Sequence, residues 1–206
     1  MNLPNKLTML RILIVPIMII VFYIPWLRNN YLFSYEVDGS IHGLTWVFFV
    51  ELILFAIASI TDFLDGRIAR KNNLVTSFGK FADPLADKIL VFAAMAILLL
   101  YPYNAGLLPK GPLVPLWVYV VMLIREFAVS GIRMVAARNG ETIAAGRTGK
   151  WKTAVTMVAI IVLFLSGLHN AVIYVGQVLI YIAAILTIIS GVEYFVKGRK
   201  HILESI

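Results

Sequence analysis

Apolar residues fall along this chain in six long blocks, separated by short runs of polar and turn-forming residues. A helix needs about 20 largely apolar residues to cross about 30 Å of hydrocarbon. The blocks meet that length and predict helices over Thr8–Leu27, Leu44–Arg70, Gly79–Tyr101, Leu113–Arg138, Lys150–Leu168 and Ala171–Val196. The intervening NNYLFSYEVDGSIHG and YPYNAGLLPKGP read as loops of ordinary helix-breaking residues. No low-complexity segment or internal repeat is visible.

Composition turns this pattern into a fold class. The chain has 206 residues, 61% hydrophobic and 14% charged, with a mean hydropathy of +0.89. A soluble domain of this length needs a far more polar surface. The expectation is an all-α integral membrane protein, a single domain over residues 1–206 with six transmembrane helices. Of the 18 Lys and Arg, only Arg28 and Lys110 fall in the loops after the first and third helices. The rest gather at the N-terminus, the second-to-third and fourth-to-fifth connections, the C-terminus, or helix ends on that side. The positive-inside bias then predicts both termini in the cytoplasm of a multi-pass cell-membrane protein. The net charge of +7 is mostly this topological signal, with attraction to anionic membrane lipids added, and requires no nucleic acid. The absence of cysteine excludes disulfides and thiolate–metal sites. The first apolar run lacks a small-x-small cleavage site and five more follow it, so it reads as a retained helix.

Against this apolar background, DFLDGRIARKNNLVTSFGKFADPLADK, residues 62–88, holds four aspartates. Asp62 and Asp65 are neighbours on one face of the second helix, with Gly66 beside them; Asp83 and Asp87 share a face of the third, with Gly79 a turn earlier. A hairpin of these helices can bring the two acidic faces together near their cytoplasmic ends. A charged side chain near mid-bilayer costs about 2.5–3.5 kcal/mol, less toward the interface, and four like charges repel one another, so something cationic must offset them. Arg67, Arg70, Lys71, Lys80 and Lys88 could do so as salt bridges. Alternatively, carboxylates without His or Cys make a hard oxygen site suited to Mg2+ or Mn2+, and two such ions would neutralise all four. Gly66 and Gly79 cost about 1 kcal/mol each in a helix but keep the acidic face open to a ligand. Asp83 has its own structural alternative, a helix N-cap with Pro84 at the first helical position. Two hard metals beside basic residues at a membrane surface point to phosphoryl chemistry, with one carboxylate free to take a proton.

The pattern Asp62-x2-Asp65-Gly66-x2-Ala69-Arg70-x8-Gly79-x3-Asp83-x3-Asp87 resembles the complete motif of the CDP-alcohol phosphatidyltransferase family. That resemblance implies six transmembrane helices, usually a homodimer, and a dinuclear Mg2+ or Mn2+ site open to the cytoplasm. It also implies transfer of a phosphatidyl group from CDP-diacylglycerol to an alcohol, with CMP leaving. By position, Asp62, Asp65, Asp83 and Asp87 would be the metal ligands and Asp87 the catalytic base, while Gly66, Arg70 and Gly79 match positions that contact the CDP-lipid. The segments PNKLTMLR and REFAVSGIRMVAARNGETIAAGRTGKWKT are similar to the branch of the family whose acceptor is sn-glycerol 3-phosphate.

A phosphorylated acceptor needs cations facing the site. Arg125 and Arg133 on the fourth helix, with Arg147 and Lys150 opening the fifth, are candidates for its phosphate, alongside Lys152; a helix N-terminus there adds free N–H groups. A positive-inside loop with only a topological role is the alternative for Arg138, Arg147 and Lys152. Arg125 lies inside an apolar helix, where an ionisable residue is a functional candidate by default. Asn5, Thr8 and Arg11 recur every three residues as a polar stripe. Either they are an interfacial helix start, or, as the resemblance to that branch implies, they form a wall of the nucleotide site, with Asn5 and Thr8 toward the CDP-lipid and Arg11 among the phosphate-binding cations. His42, His169 and His201 carry no expected role, and Glu51 and Glu193 read as packing or dimer contacts. Trp26, Trp46 and Trp117 read as interface anchors. Competing readings are another acceptor (inositol phosphate, serine or phosphatidylglycerol) and a divalent-cation transporter, the latter disfavoured by the absence of repeat halves.

Overall fold

The computed structural model describes residues 3–37, 40–71, 77–103, 111–138 and 146–203. The side chains of residues 63–71, 77, 78, 80 and 81 lie outside the described set. Its helices are α1 (Leu3–Phe22), α2 (Pro25–Asn29), α3 (Trp46–Lys71), α4 (Ser77–Leu100), α5 (Leu116–Arg138), α6 (Arg147–Phe164) and α7 (Asn170–Leu203). Two antiparallel strand pairs join them: β1 (Tyr31–Val37) with β2 (Ser40–Thr45), and β3 (Pro102–Tyr103) with β4 (Gly111–Pro112).

Each of the six expected helices is present, with boundaries moved for local reasons. The first ends at Phe22 rather than Leu27, because Pro25 holds Ile24 in an extended conformation and starts the separate α2. The third begins at Ser77, so Pro84 lies inside α4 and Asp83 is not its N-cap. The fifth ends at Phe164, and Ser166–Leu168 form a 3-10 turn before α7.

The all-α expectation also missed the hairpin. Glu36 pairs with Ile41 and Tyr31 with Thr45 across β1 and β2. The sequence carries its signal: β-prone runs flank Asp38-Gly39, a dipeptide strongly favoured between hairpin strands. The hairpin docks on the 3-10 turn through two glycines. A Cβ on Gly167 would stand 2.4 Å from the Gly43 carbonyl oxygen, closer than any side chain permits.

α1 packs extensively against both α3 and α4, which touch each other much less, while α6 and α5 pack on α7. A core of Met18, Phe55, Met95, Leu98, Ile160 and Phe164 runs between these groups. Glu51 on α3 is fully buried within the chain, so of its two expected roles it packs internally. Large apolar side chains elsewhere face outward, among them Ile20, Phe127, Met134 and Trp151. So much exposed apolar surface fits lipid and not water. Among the described residues three helices are long and apolar enough to cross a membrane, within Asn5–Phe22, Arg147–Leu168 and Asn170–Gly198.

Candidate active site

The polar stripe of α1 meets the aspartates of α3 and α4. Thr8 and Arg11 are three residues apart and share the buried face of α1, 1% and 0% exposed. Arg11 NH1 lies 2.6 Å from Asp62 Oδ1, and Thr8 Oγ1 donates to Asp83 Oδ1 at 2.5 Å. The half-exposed carboxylate of Asp62 thus offsets the desolvation of the fully buried Arg11, and Asp83 gives the buried Thr8 hydroxyl an acceptor. The expected hairpin of two acidic faces becomes a three-helix arrangement, because the buried polar atoms of α1 need partners as much as the aspartates do.

Asp87, one turn beyond Asp83, borders a cavity of about 600 Å³ walled by α3, α4, α5, α6 and α7. That volume lies within the usual range for small-molecule sites, about 300–1,000 Å³. Five basic side chains line it (Lys88, Arg125, Arg133, Lys150 and Lys152) against three acidic ones (Asp62, Asp87 and Glu126). The two groups are unevenly distributed. The aspartates come from α3 and α4, while four of the five cations come from α5 and α6. One wall suits a cation and the other an anion.

Glu126 organises the basic wall. It accepts from Arg125 NH1 at 2.8 Å and from Lys152, with Lys88 Nζ 3.9 Å away. Lys88 also donates to Ser130 Oγ, which donates in turn to the Glu126 carbonyl oxygen at 2.7 Å. One carboxylate among three cations leaves the cluster positive. Arg125 NH2 donates to Ser190 Oγ at 2.8 Å and Arg133 NH2 to Tyr194 Oη at 2.5 Å, both acceptors on α7. Thr148 donates to Glu193 at 2.5 Å, so this lone acid pins α6 to α7 within the chain.

The donor chemistry fits a hard divalent cation in part. Asp62 and Asp87 border one cavity, Asp83 is a turn away, and neither imidazole nor thiolate lines that cavity. Among the described residues no three such ligands close into a complete cluster. Asp65, the fourth expected ligand, lies outside the described side chains, as do Gly66 and Arg70.

The remaining expected residues divide by location. Arg125, Arg133 and Lys150 meet in the cavity with Asp62 and Asp87. Arg11 sits with the carboxylates and is not in the cavity lining, and Arg147 is exposed at the start of α6 and is not in it either. Gly79 is buried in α4 and Asn5 half-buried in α1. Sequence reasoning missed Ser190 and Tyr194, since one Ser and one Tyr in an apolar helix carry no signal. Lys152 was among the expected cations and lines the cavity, and Glu126 was findable as an ionisable residue within an apolar segment.

Comparison with known proteins gives the family. The family model for CDP-alcohol phosphatidyltransferase matches residues 1–189. A CDP-diacylglycerol--glycerol-3-phosphate 3-phosphatidyltransferase of Bacillus subtilis is 40% identical over 201 residues, 96% of this chain and 95% of that protein. Proteins of the same name from Rickettsia felis and Haemophilus influenzae are 40% and 33% identical. The former comparison covers 97% of both chains, the latter 100% of this chain and 97% of the relative.

Proposed function

This chain belongs to the CDP-alcohol phosphatidyltransferase family, and we propose that it transfers the phosphatidyl group of CDP-diacylglycerol to sn-glycerol 3-phosphate. A hydroxyl oxygen of the acceptor bonds to the phosphorus that carries the diacylglycerol. The phosphoanhydride bond breaks, CMP leaves with the electron pair, and the acceptor proton goes to Asp87. The products are phosphatidylglycerophosphate and CMP. The two-signed cavity is the observation that carries this reading, because both substrates are anionic: the basic side chains can hold one directly, and the carboxylates could serve the other only through cations bound between them.

Asp62, Asp65, Asp83 and Asp87 would hold two Mg2+ or Mn2+ ions, which supply neutralisation of the diphosphate and of the leaving CMP. Thr8 and Arg11 orient Asp83 and Asp62 through the contacts described. Arg125, Arg133 and Lys150 bind the acceptor phosphate through charge-assisted hydrogen bonds, arginine forks suiting it bidentately. The six long helices span the cell membrane with both termini in the cytoplasm, and the cavity opens on that face, where glycerol 3-phosphate and CMP are soluble. The distribution of Lys and Arg supports this orientation.

The test is CMP release by the purified protein with CDP-diacylglycerol and a panel of acceptors, the lipid product identified by mass. Glycerol 3-phosphate should be the productive acceptor. Turnover with serine or inositol phosphate and none with glycerol 3-phosphate would overturn the acceptor and leave the family intact. Arg125→Ala and Lys150→Ala should each raise KM for glycerol 3-phosphate about 10- to 150-fold, the range of one charge-assisted hydrogen bond.

A further inference from the structure

We propose that Tyr194 is a positioning residue that clamps Arg125 and Arg133 into one dianion-binding pair, making α7 the wall that sets acceptor affinity. The inference rests on the acceptor reading above and extends it to a helix that carries none of the expected site residues.

Four observations converge on this stretch of α7. The guanidinium carbons of Arg125 and Arg133 lie 5.5 and 5.1 Å from the centroid of the Tyr194 ring. The Tyr194 hydroxyl accepts from Arg133 NH2 at 2.5 Å, so ring and hydroxyl both hold that side chain. Ser190, one turn earlier on the same face, accepts from Arg125 NH2 at 2.8 Å. Between them Gly191 leaves room for the stem, since a Cβ there would stand 3.1 Å from Arg125 Cγ.

Two guanidinium groups around one ring repel each other, and the electron-rich faces of the ring offset part of that repulsion. Tyr194 is 4% exposed, so its ring is fixed by packing and does not adjust to the ligand. Arg125 Nε has no hydrogen-bond acceptor among the described residues, which leaves a buried donor of this pair unused. Both arginines and Tyr194 line the same cavity. A pair of cations held together in this way favours a group with two negative charges, such as a phosphomonoester, over a monoanion or a neutral alcohol.

Two variants in the full chain, reconstituted in lipid nanodiscs, separate the contributions. Tyr194→Phe keeps the ring and removes the acceptor for Arg133. KM for glycerol 3-phosphate should rise about 10-fold, the lower end for a hydrogen bond to a charged group. Tyr194→Leu also removes the ring and should raise KM a further 5- to 30-fold, roughly the span of cation–π strength at partly to fully desolvated sites. KM for CDP-diacylglycerol should move less than about twofold in either, because a defect confined to these arginines reaches only the acceptor. Parallel rises for both substrates would mark a structural role and overturn the proposal, as would a Leu variant no weaker than Phe. If Tyr194→Leu has no cooperative thermal transition, Tyr194→Phe decides alone, and an unchanged acceptor KM rejects the clamp. Thermal protection by inorganic phosphate needs no turnover. Protection in the wild type that is lost in Tyr194→Phe supports the clamp even if glycerol 3-phosphate proves not to be the acceptor; a wild type without protection overturns it.

Discussion

Removing the charge of Glu126 tests the basic wall most directly. In Glu126→Gln the side chain keeps its shape, but three cations lose their shared counter-charge. Two of the contacts are close, Arg125 NH1 at 2.8 Å and Lys152, while Lys88 at 3.9 Å is a weaker partner. The carboxylate is 15% exposed, and the Arg125 and Lys152 side chains 11% and 9% exposed. Water therefore cannot fully replace it. Breaking a buried ion pair from one side costs about 3–5 kcal/mol, and the residual exposure, with the amide oxygen still able to accept, places this case near 3 kcal/mol. A chain of this size loses roughly 2–4 °C of Tm per kcal/mol, so Tm should fall by about 6–12 °C.

The four tryptophans allow the transition to be followed by intrinsic fluorescence in detergent, and the absence of cysteine rules out thiol-reactive dyes. Anionic ligand should restore part of the loss, because the freed cations bind it more strongly relative to their own repulsion. Saturating inorganic phosphate should therefore raise Tm more in Glu126→Gln than in the wild type. A Tm within about 2 °C of wild type would equate to less than 1 kcal/mol and would show that Arg125 and Lys152 do not depend on Glu126. Equal phosphate shifts in the two proteins would refute the claim that they face a common ligand.

Asp87→Asn should lower turnover about 10²- to 10⁴-fold, the usual worth of a general base, with CDP-lipid binding retained; near-normal CMP release would remove Asp87 from the proton-transfer role. Activity should vanish in chelator and return with Mg2+ or Mn2+, since the donor set contains hard oxygens and no thiolate; full turnover in chelator would leave the aspartates structural. Gly167→Ala should destabilise by about 1–3 kcal/mol, as overpacking typically does, because its Cβ would meet Gly43 and Leu44 backbone at 2.4 Å. Its CMP release at low temperature should match wild type, and an unchanged Tm would show that the hairpin does not press on the 3-10 turn.

The helices were legible because apolar block length alone carries the signal, and tertiary packing has little power to override it. Their ends were less so: Pro25 and Pro84 look alike in sequence, yet one starts a helix and the other lies inside one. The hairpin is less legible because Asp38-Gly39 and the residues around it serve equally as helix breakers and as a hairpin signal. Asp62, Asp87, Arg125, Arg133 and Lys150 line one cavity; the aspartates stand out by their spacing, Lys150 by its place at a helix start, and Arg125 as an ionisable residue inside an apolar helix. Tyr194 was invisible, since an aromatic residue in an apolar helix is ordinary. Arg11 was conspicuous, but spacing along one helix says nothing about which neighbour it meets, and only the packing of α1 between α3 and α4 puts it on Asp62.

That placement bears on how two anionic substrates could share one cavity. If the same cations held both, each substrate would compete for the charge that the other needs, and binding of either would weaken the other. Here Arg11 is committed to Asp62 at 2.6 Å on the carboxylate side. Arg125, Arg133 and Lys152 are anchored to α5 and α7 partners on the other. On the proposed reading, cations held by the aspartates would neutralise the donor diphosphate while the arginines hold the acceptor phosphate, with Asp87 bordering the space between. The acceptor hydroxyl then approaches phosphorus from the basic wall, and CMP departs along the acidic one. Separated counter-charges let both anions bind together, which a transfer without a covalent enzyme intermediate requires.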